Sequence, residues 1–139
     1  MIECLILGDS IAVGVSRRLT ECEVIAEVGI NSLNYYNVYM DQVRGADSYI
    51  ISLGANDGYT NTAEVIPRLR EQLPNRAEVV WLVPANNKEA IEAVINLSEQ
   101  YGDNTLRLTD FPLAGDGVHP TGAGYNMLAE ESVRLLSRK

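Results

Sequence analysis

The chain has 139 residues, 46% of them hydrophobic, and a formal net charge of −8; that is enough for one domain around one core and too little for two. The acids are scattered and no basic block exceeds the Arg17-Arg18 pair, which argues against nucleic acid as a partner. The longest apolar stretch, Val79 to Ala85, falls far short of the roughly 18 to 20 residues that span a bilayer, and no signal-peptide pattern precedes the first apolar run. The expectation is a cytoplasmic protein with no membrane span, unless another route exports it.

Short apolar runs alternate with helical patterns along the chain. Strands are expected at Glu3 to Leu7, Glu23 to Val28, Ser48 to Leu53, Val79 to Val83 and Thr105 to Leu108. Helices are expected at Ile11 to Thr20, Ser32 to Arg44, about Glu64 to Leu73, Lys88 to Tyr101 and about Thr121 to Ser137. Ser32 is a candidate cap for the second helix and Gly45 its terminator; Asn86 with Glu89 forms a capping-box pattern, and Gly102 closes the fourth helix. Pro67 predicts that the third helix starts late or bends, because an interior proline forfeits a backbone hydrogen bond. Cys4 and Cys22 fall in the first two strands, where they could be neighbours; a disulfide is the lesser alternative, and in a reducing compartment they are expected to be thiols filling apolar space. No Cys or His cluster has the spacing of a zinc site.

Five β-α repeats predict an α/β fold, a parallel sheet covered by helices on both faces. Runs one, three and four are almost entirely apolar, as central strands should be, whereas runs two and five carry Glu23, Glu27 and Arg107 and read as edges. The flavodoxin-like order 2-1-3-4-5 follows, with ligands expected beyond the strand ends at the switch between strands one and three.

Gly8-Asp9-Ser10 follows strand one and Gly54-Ala55-Asn56-Asp57-Gly58 follows strand three. Gly29 follows strand two, and a loop with Asp116 and His119 follows strand five. That last loop must cross three strand spacings, roughly 14 Å, and the nine steps from Asp110 to His119 reach up to roughly 30 Å when extended. A serine hydroxyl needs a base titrating near neutrality, and His119 is the only histidine. Asp116, three residues earlier, can orient the imidazole. The Ser10 amide, the Gly29 amide and the Asn56 side chain are candidate donors to an oxyanion. Taken singly, each has a plainer reading: Ser10 as a helix cap, Asn56 as an Asx-turn residue, Gly29 as a turn glycine and His119 as a loop residue. Their convergence on one sheet edge is what favours chemistry.

With "GDS", "EVGIN", "GAND" and "DGVH" in this order, followed by "HPTGAGYNMLA", the sequence resembles the SGNH hydrolases, the superfamily of the GDSL esterases and lipases. The resemblance implies a three-layer α/β/α sandwich and a serine hydrolase acting on esters. It also implies a triad of Ser10, Asp116 and His119, with Ser10, Gly29 and Asn56 as oxyanion donors. No metal or organic cofactor is implied. The short chain has no insertion long enough for a lid, so the expected substrate is a short acyl group, such as acetyl, on a carbohydrate or other small alcohol. Lysophospholipase, thioesterase and arylesterase activities are the alternatives within the same superfamily.

Two other classes of function fit parts of the same sequence. Asp9, Asp57 and Asp116 beside His119 could ligate a divalent metal in a different hydrolase. A non-catalytic carbohydrate- or protein-binding module could keep the fold without turnover, with Tyr35, Tyr36 and Tyr39 either packing the second helix or lining the site rim.

Overall fold

The computed structural model describes residues 2–136. Its strands are β1 (Ile2–Gly8), β2 (Glu23–Ala26), β3 (Ala46–Ser52), β4 (Glu78–Val83) and β5 (Asn104–Arg107). The helices are α1 (Ser10–Ser16), α2 (Ser32–Tyr39), α3 (Thr62–Glu71), α4 (Lys88–Tyr101) and α5 (Gly122–Leu136). All strand pairs are parallel and the order is β2-β1-β3-β4-β5, as the apolar patterning predicts. The outer strands β2 and β5 are the partly exposed ones.

Alternation along the strands splits the core in two. Leu5, Leu7, Tyr49, Ile51, Trp81 and Val83 face α2, α3 and α4, meeting Tyr35, Ile66, Leu69, Val94 and Leu97. Ile6, Ile50, Val80 and Leu82 face α1 and α5, meeting Ile11, Val15 and Leu128. This is the period-two consequence of a pleated strand buried on both sides.

Several local expectations are corrected. Helix α1 stops at Ser16, whose hydroxyl donates to the Val13 carbonyl at 2.7 Å and so competes with the helical pattern. Helix α2 is capped by Asn31, which accepts from Asn34 N–H, while Ser32 is buried elsewhere in the network described below. It ends at Tyr39 and passes into a 3-10 turn over Met40–Gln42, leaving Gly45 in the connection to β3. Helix α3 begins early, at Thr62, and runs through Pro67; the Ala63 carbonyl that loses its donor there is on an exposed residue, where water can replace the bond. Asn87, at φ 68°, caps α4 in place of Asn86, whose amide instead donates to the Ala55 carbonyl at 2.8 Å. Gly102, left-handed at φ 70°, closes α4 as expected. Thr121 lies before α5 and accepts from Gly124 N–H, and the expected end of that helix at Ser137 lies outside the described residues.

The cysteines are also corrected: Cys4 and Cys22 form a disulfide, with Cα atoms 4.8 Å apart. The β1–β2 register pairs Leu5 with Glu23, so the two preceding residues are brought side by side. The bridge sits at the amino ends of the strands, at the opposite end of the sheet from Ser10. Inside the α3–α4 layer, Arg70 is paired in two bonds with Asp103, at 2.9 and 3.0 Å, and Trp81 donates to the same carboxylate at 3.0 Å. This fastens α3, β4 and the turn before β5 around one buried charge pair.

Candidate active site

The nucleophile candidate is placed by a tight exit from β1. Gly8 has φ +137°, and a Cβ there would lie 1.9 Å from the Ser52 carbonyl oxygen, so no side chain fits between the ends of β1 and β3. Asp9 N–H donates to that same Ser52 carbonyl at 3.1 Å, holding the turn to the sheet. The cap of α1 is Asp9, whose Oδ1 accepts from Ile11 N–H at 3.1 Å and from Ser52 Oγ at 2.9 Å. Ser10 is therefore the first residue of α1 rather than its cap. Its own N–H belongs to the first turn, where no helical carbonyl is available to accept it. Asp9 is wholly buried and its Oδ2 has no hydrogen-bond partner among the described residues. Burial pushes its carboxyl up to about 6, against the opposing pull of the Ser52 hydroxyl and the Ile11 amide.

The β5–α5 loop does cross to the switch point. Ser10 Oγ lies 2.8 Å from His119 Nε2, and His119 Nδ1 lies 2.7 Å from Asp116 Oδ2. An ionised carboxylate only accepts, so Nδ1 carries the proton and Nε2 of the neutral ring is left to accept from the serine hydroxyl. Asp116 Oδ1 accepts from the amides of Val118 at 2.8 Å and His119 at 3.0 Å. Those two amides, with the His119 ring, draw its carboxyl down to about 2. The loop closes on itself: Ala114 N–H donates to the His119 carbonyl at 2.7 Å, and Thr121 N–H donates to the Pro112 carbonyl at 3.0 Å. The histidine and aspartate side chains are 42% and 50% exposed, so the site is open to solvent.

Gly29 and Asn56 come from the neighbouring strand ends. Gly29 takes φ +82° in the turn between β2 and α2, a conformation that favours glycine. Asn56 donates one amide hydrogen to the Ile30 carbonyl at 3.1 Å, which orients the side chain and leaves its second N–H available.

Asp57 carries more of the site than a turn role suggests. It is buried, accepts from Ser32 N–H at 2.8 Å and Ser32 Oγ at 2.7 Å, and also receives the Thr62 hydroxyl. One carboxylate thus fastens the Gly29–Ser32 turn, the Asn56 loop and the start of α3. Sequence reasoning missed this junction, because a serine and a threonine opening two helices become its partners only when the sheet brings them together.

Asp9 and Asp57 are thereby occupied by serine, threonine and amide donors, and among the described residues no group of three or more His, Cys, Asp or Glu side chains is arranged to hold a metal. The tyrosines of α2 pack: Tyr35 is buried and donates to the Ile25 carbonyl at 2.6 Å, Tyr36 receives Gln72 at 2.6 Å, and Tyr39 donates to Glu27 at 2.5 Å. Among the described residues no helix is long and apolar enough to cross a membrane.

No protein-family model matches the sequence, and no curated protein is similar enough in sequence to count as a relative. Solved structures do match. A GDSL-like lipase from Bacteroides thetaiotaomicron superposes with a TM-score of 0.71 at 17% identity, over 97% of this chain and 87% of that one. A carbohydrate acetylesterase family member from Sinorhizobium meliloti gives 0.65 at 14% identity, over 96% and 98%. The catalytic domain of a peptidoglycan O-acetyltransferase from Streptococcus pneumoniae gives 0.67 at 15% identity, over 96% and 92%. At these identities the likeness is one of architecture: the chain has the three-layer α/β fold of the GDSL-type hydrolases.

Proposed function

We propose that this protein is an SGNH-type serine ester hydrolase that removes short acyl groups, acetyl foremost, from carbohydrates or other small alcohols. The observation that carries the reading is the unbroken hydrogen-bond chain from Ser10 Oγ through His119 to Asp116, at the strand ends where this fold binds ligands. Ser10 Oγ gives its proton to His119 Nε2 and attacks the ester carbonyl. Asp116 holds the ring in the accepting tautomer and offsets the charge of the imidazolium. The tetrahedral oxyanion is met by Ser10 N–H, Gly29 N–H and the second Asn56 N–H. The C–O bond to the alcohol breaks as the alcohol takes the proton from His119; water, deprotonated by the same ring, then releases the acid and restores Ser10.

Favouring a short acyl group, the acyl-bearing carbon would sit in an open site beside half-exposed His119 and Asp116. The test is a screen of O-acetylated sugars and p-nitrophenyl esters of increasing chain length, with Ser10→Ala as control. The expected result is a preference for acetyl over long chains and loss of activity in Ser10→Ala by at least about 10⁴-fold, with the fold intact by circular dichroism. Full activity in Ser10→Ala would refute the nucleophile, and a preference for long chains would refute the acyl assignment.

A further inference from the structure

The turn after Asn56 holds a feature that the triad does not use. Gly58, Tyr59, Thr60 and Asn61 form a ridge with a groove on each side. The first, of about 590 Å³, begins at Asn56 and runs between the start of α2, at Asn31 and Leu33, and Glu64 and Arg68 of α3. The second, of about 440 Å³, lies beyond the ridge against Glu89, Glu92 and Asn96 of α4. Both are lined by Gly58, Tyr59, Thr60 and Asn61, so together they make one path leading away from the candidate oxyanion donor.

The ridge is fixed in place. The buried Asp57 side chain binds Ser32 and Thr62 on either side of it, and Thr60 N–H returns to the Asp57 carbonyl at 2.5 Å. At its tip Tyr59 is fully exposed, and its ring and hydroxyl make no contact that contributes to the core. Asn61 occupies the cap position of α3 yet makes no side-chain cap bond, although asparagine is among the best residues for that task. Glu64, Arg68 and Asn96 likewise make no side-chain hydrogen bond or ion pair with a described residue. An exposed aromatic face on a fixed turn, flanked by uncommitted amides and charged hydrogen-bonding groups, suits a ligand with apolar sugar faces and many hydroxyls. The three glutamates along the path, on a chain of net charge −8, disfavour an anionic polymer. A fatty chain would leave the uncommitted amides and charges desolvated without partners.

We propose that this path is the subsite for the alcohol portion of the substrate, that this portion is a neutral oligosaccharide, and that Tyr59 stacks on a sugar ring while Asn61 and Arg68 bond its hydroxyls. The inference rests on the ester-hydrolase reading for its link to turnover, but binding tests it separately. Ser10→Ala protein, which cannot turn over an ester, is titrated with xylotetraose and with chitotetraose and followed by amide NMR shifts. The expected result is saturable shifts for at least one of them at Gly58, Tyr59, Asn61 and Asn96, lost when Tyr59→Ala is added. No binding of either, or shifts unaffected by Tyr59→Ala, overturns the subsite whether or not the protein is an esterase.

In the active protein, Tyr59→Ala should lower kcat/KM for an O-acetylated xylotetraose by about tenfold, chiefly through KM, as loss of a stacking contact does. Hydrolysis of p-nitrophenyl acetate, which carries no sugar ring to stack on Tyr59, should stay within about twofold of the parent. An equal effect on both substrates, or none on either, overturns the assignment. Absence of any Ser10-dependent hydrolysis overturns the catalytic reading instead, and leaves the titration to decide the subsite.

Discussion

The two halves of the candidate site are built on opposite principles. Ser10, Gly29 and Asn56 leave adjacent strand ends and are held by carboxylates with almost no exposure, Asp9 at 0% and Asp57 at 2%. His119 and Asp116 arrive on a loop from an edge strand, half exposed, and hold each other through bonds made mainly within that loop. Ser10, Gly29 and Asn56 are thus positioned by the sheet, and His119 by its own turn. The lesson is that a buried carboxylate in such a site sets backbone geometry, whereas an exposed one can serve the proton transfer without the cost of burying a charge.

The largest expected break in this comparison is His119→Ala, which removes the proposed base and should cost at least about 10⁴-fold in kcat while leaving Tm nearly unchanged, as expected of an exposed loop residue. Asn56→Ala, on the sheet-held side, should cost on the order of 100-fold or more in kcat with little effect on KM, since its free N–H meets charge only in the transition state. Asp57→Ala should instead lower stability first, by about 3 kcal/mol in urea unfolding, because it strands the Ser32 amide and two buried hydroxyls.

The same contrast appears in pH dependence. The Asp9 carboxyl, raised from 3.8 to about 6 by burial, favours the folded state most below its unfolded value. That contribution disappears as pH rises to about 6, a loss on the order of 2 to 3 kcal/mol. Asp9→Asn should therefore flatten the decline in Tm between pH 4 and pH 6. Asp116, lowered to about 2, works with the opposite sign: it favours folding above 3.8 and that support is lost as pH falls towards 2. Asp116→Asn should leave the pH 4 to 6 interval unchanged.

The smallest effect on activity is expected at the far end of the sheet. Replacing Cys4 and Cys22 with serine opens a loop with a sequence separation of 18 and should cost about 3 kcal/mol of stability. Ester hydrolysis at 25 °C should be unchanged, since the bridge lies at the strand ends away from Ser10. A large loss of kcat in that variant would show that the two ends of the sheet are coupled.

The order of apolar runs and their charge content made the strand order legible, because buried central strands must be apolar on both faces while edges tolerate Glu23, Glu27 and Arg107. The meeting of Ser10, His119 and Asp116 was legible for a related reason: the fold leaves few places for a ligand, and the loops that carry these residues, like those of Gly29 and Asn56, leave that edge of the sheet. Caps and helix ends were less legible. Asn31, Asn87 and Asp9 took roles expected of Ser32, Asn86 and Ser10, since adjacent polar residues offer nearly equal local hydrogen bonds and their surroundings choose between them.

What the sequence determined by itself is the frame: five β-α units, which strands lie inside, and which loops share an edge, all following from the partition of apolar and polar residues along the chain. Tertiary structure decided what that partition does not encode. It joined Cys4 to Cys22 by setting the β1–β2 register, made Asp57 the junction of three segments, and raised Tyr59 as an exposed ridge between two grooves. Each of these depends on the distance between residues remote in sequence, and that distance exists only once the sheet has formed.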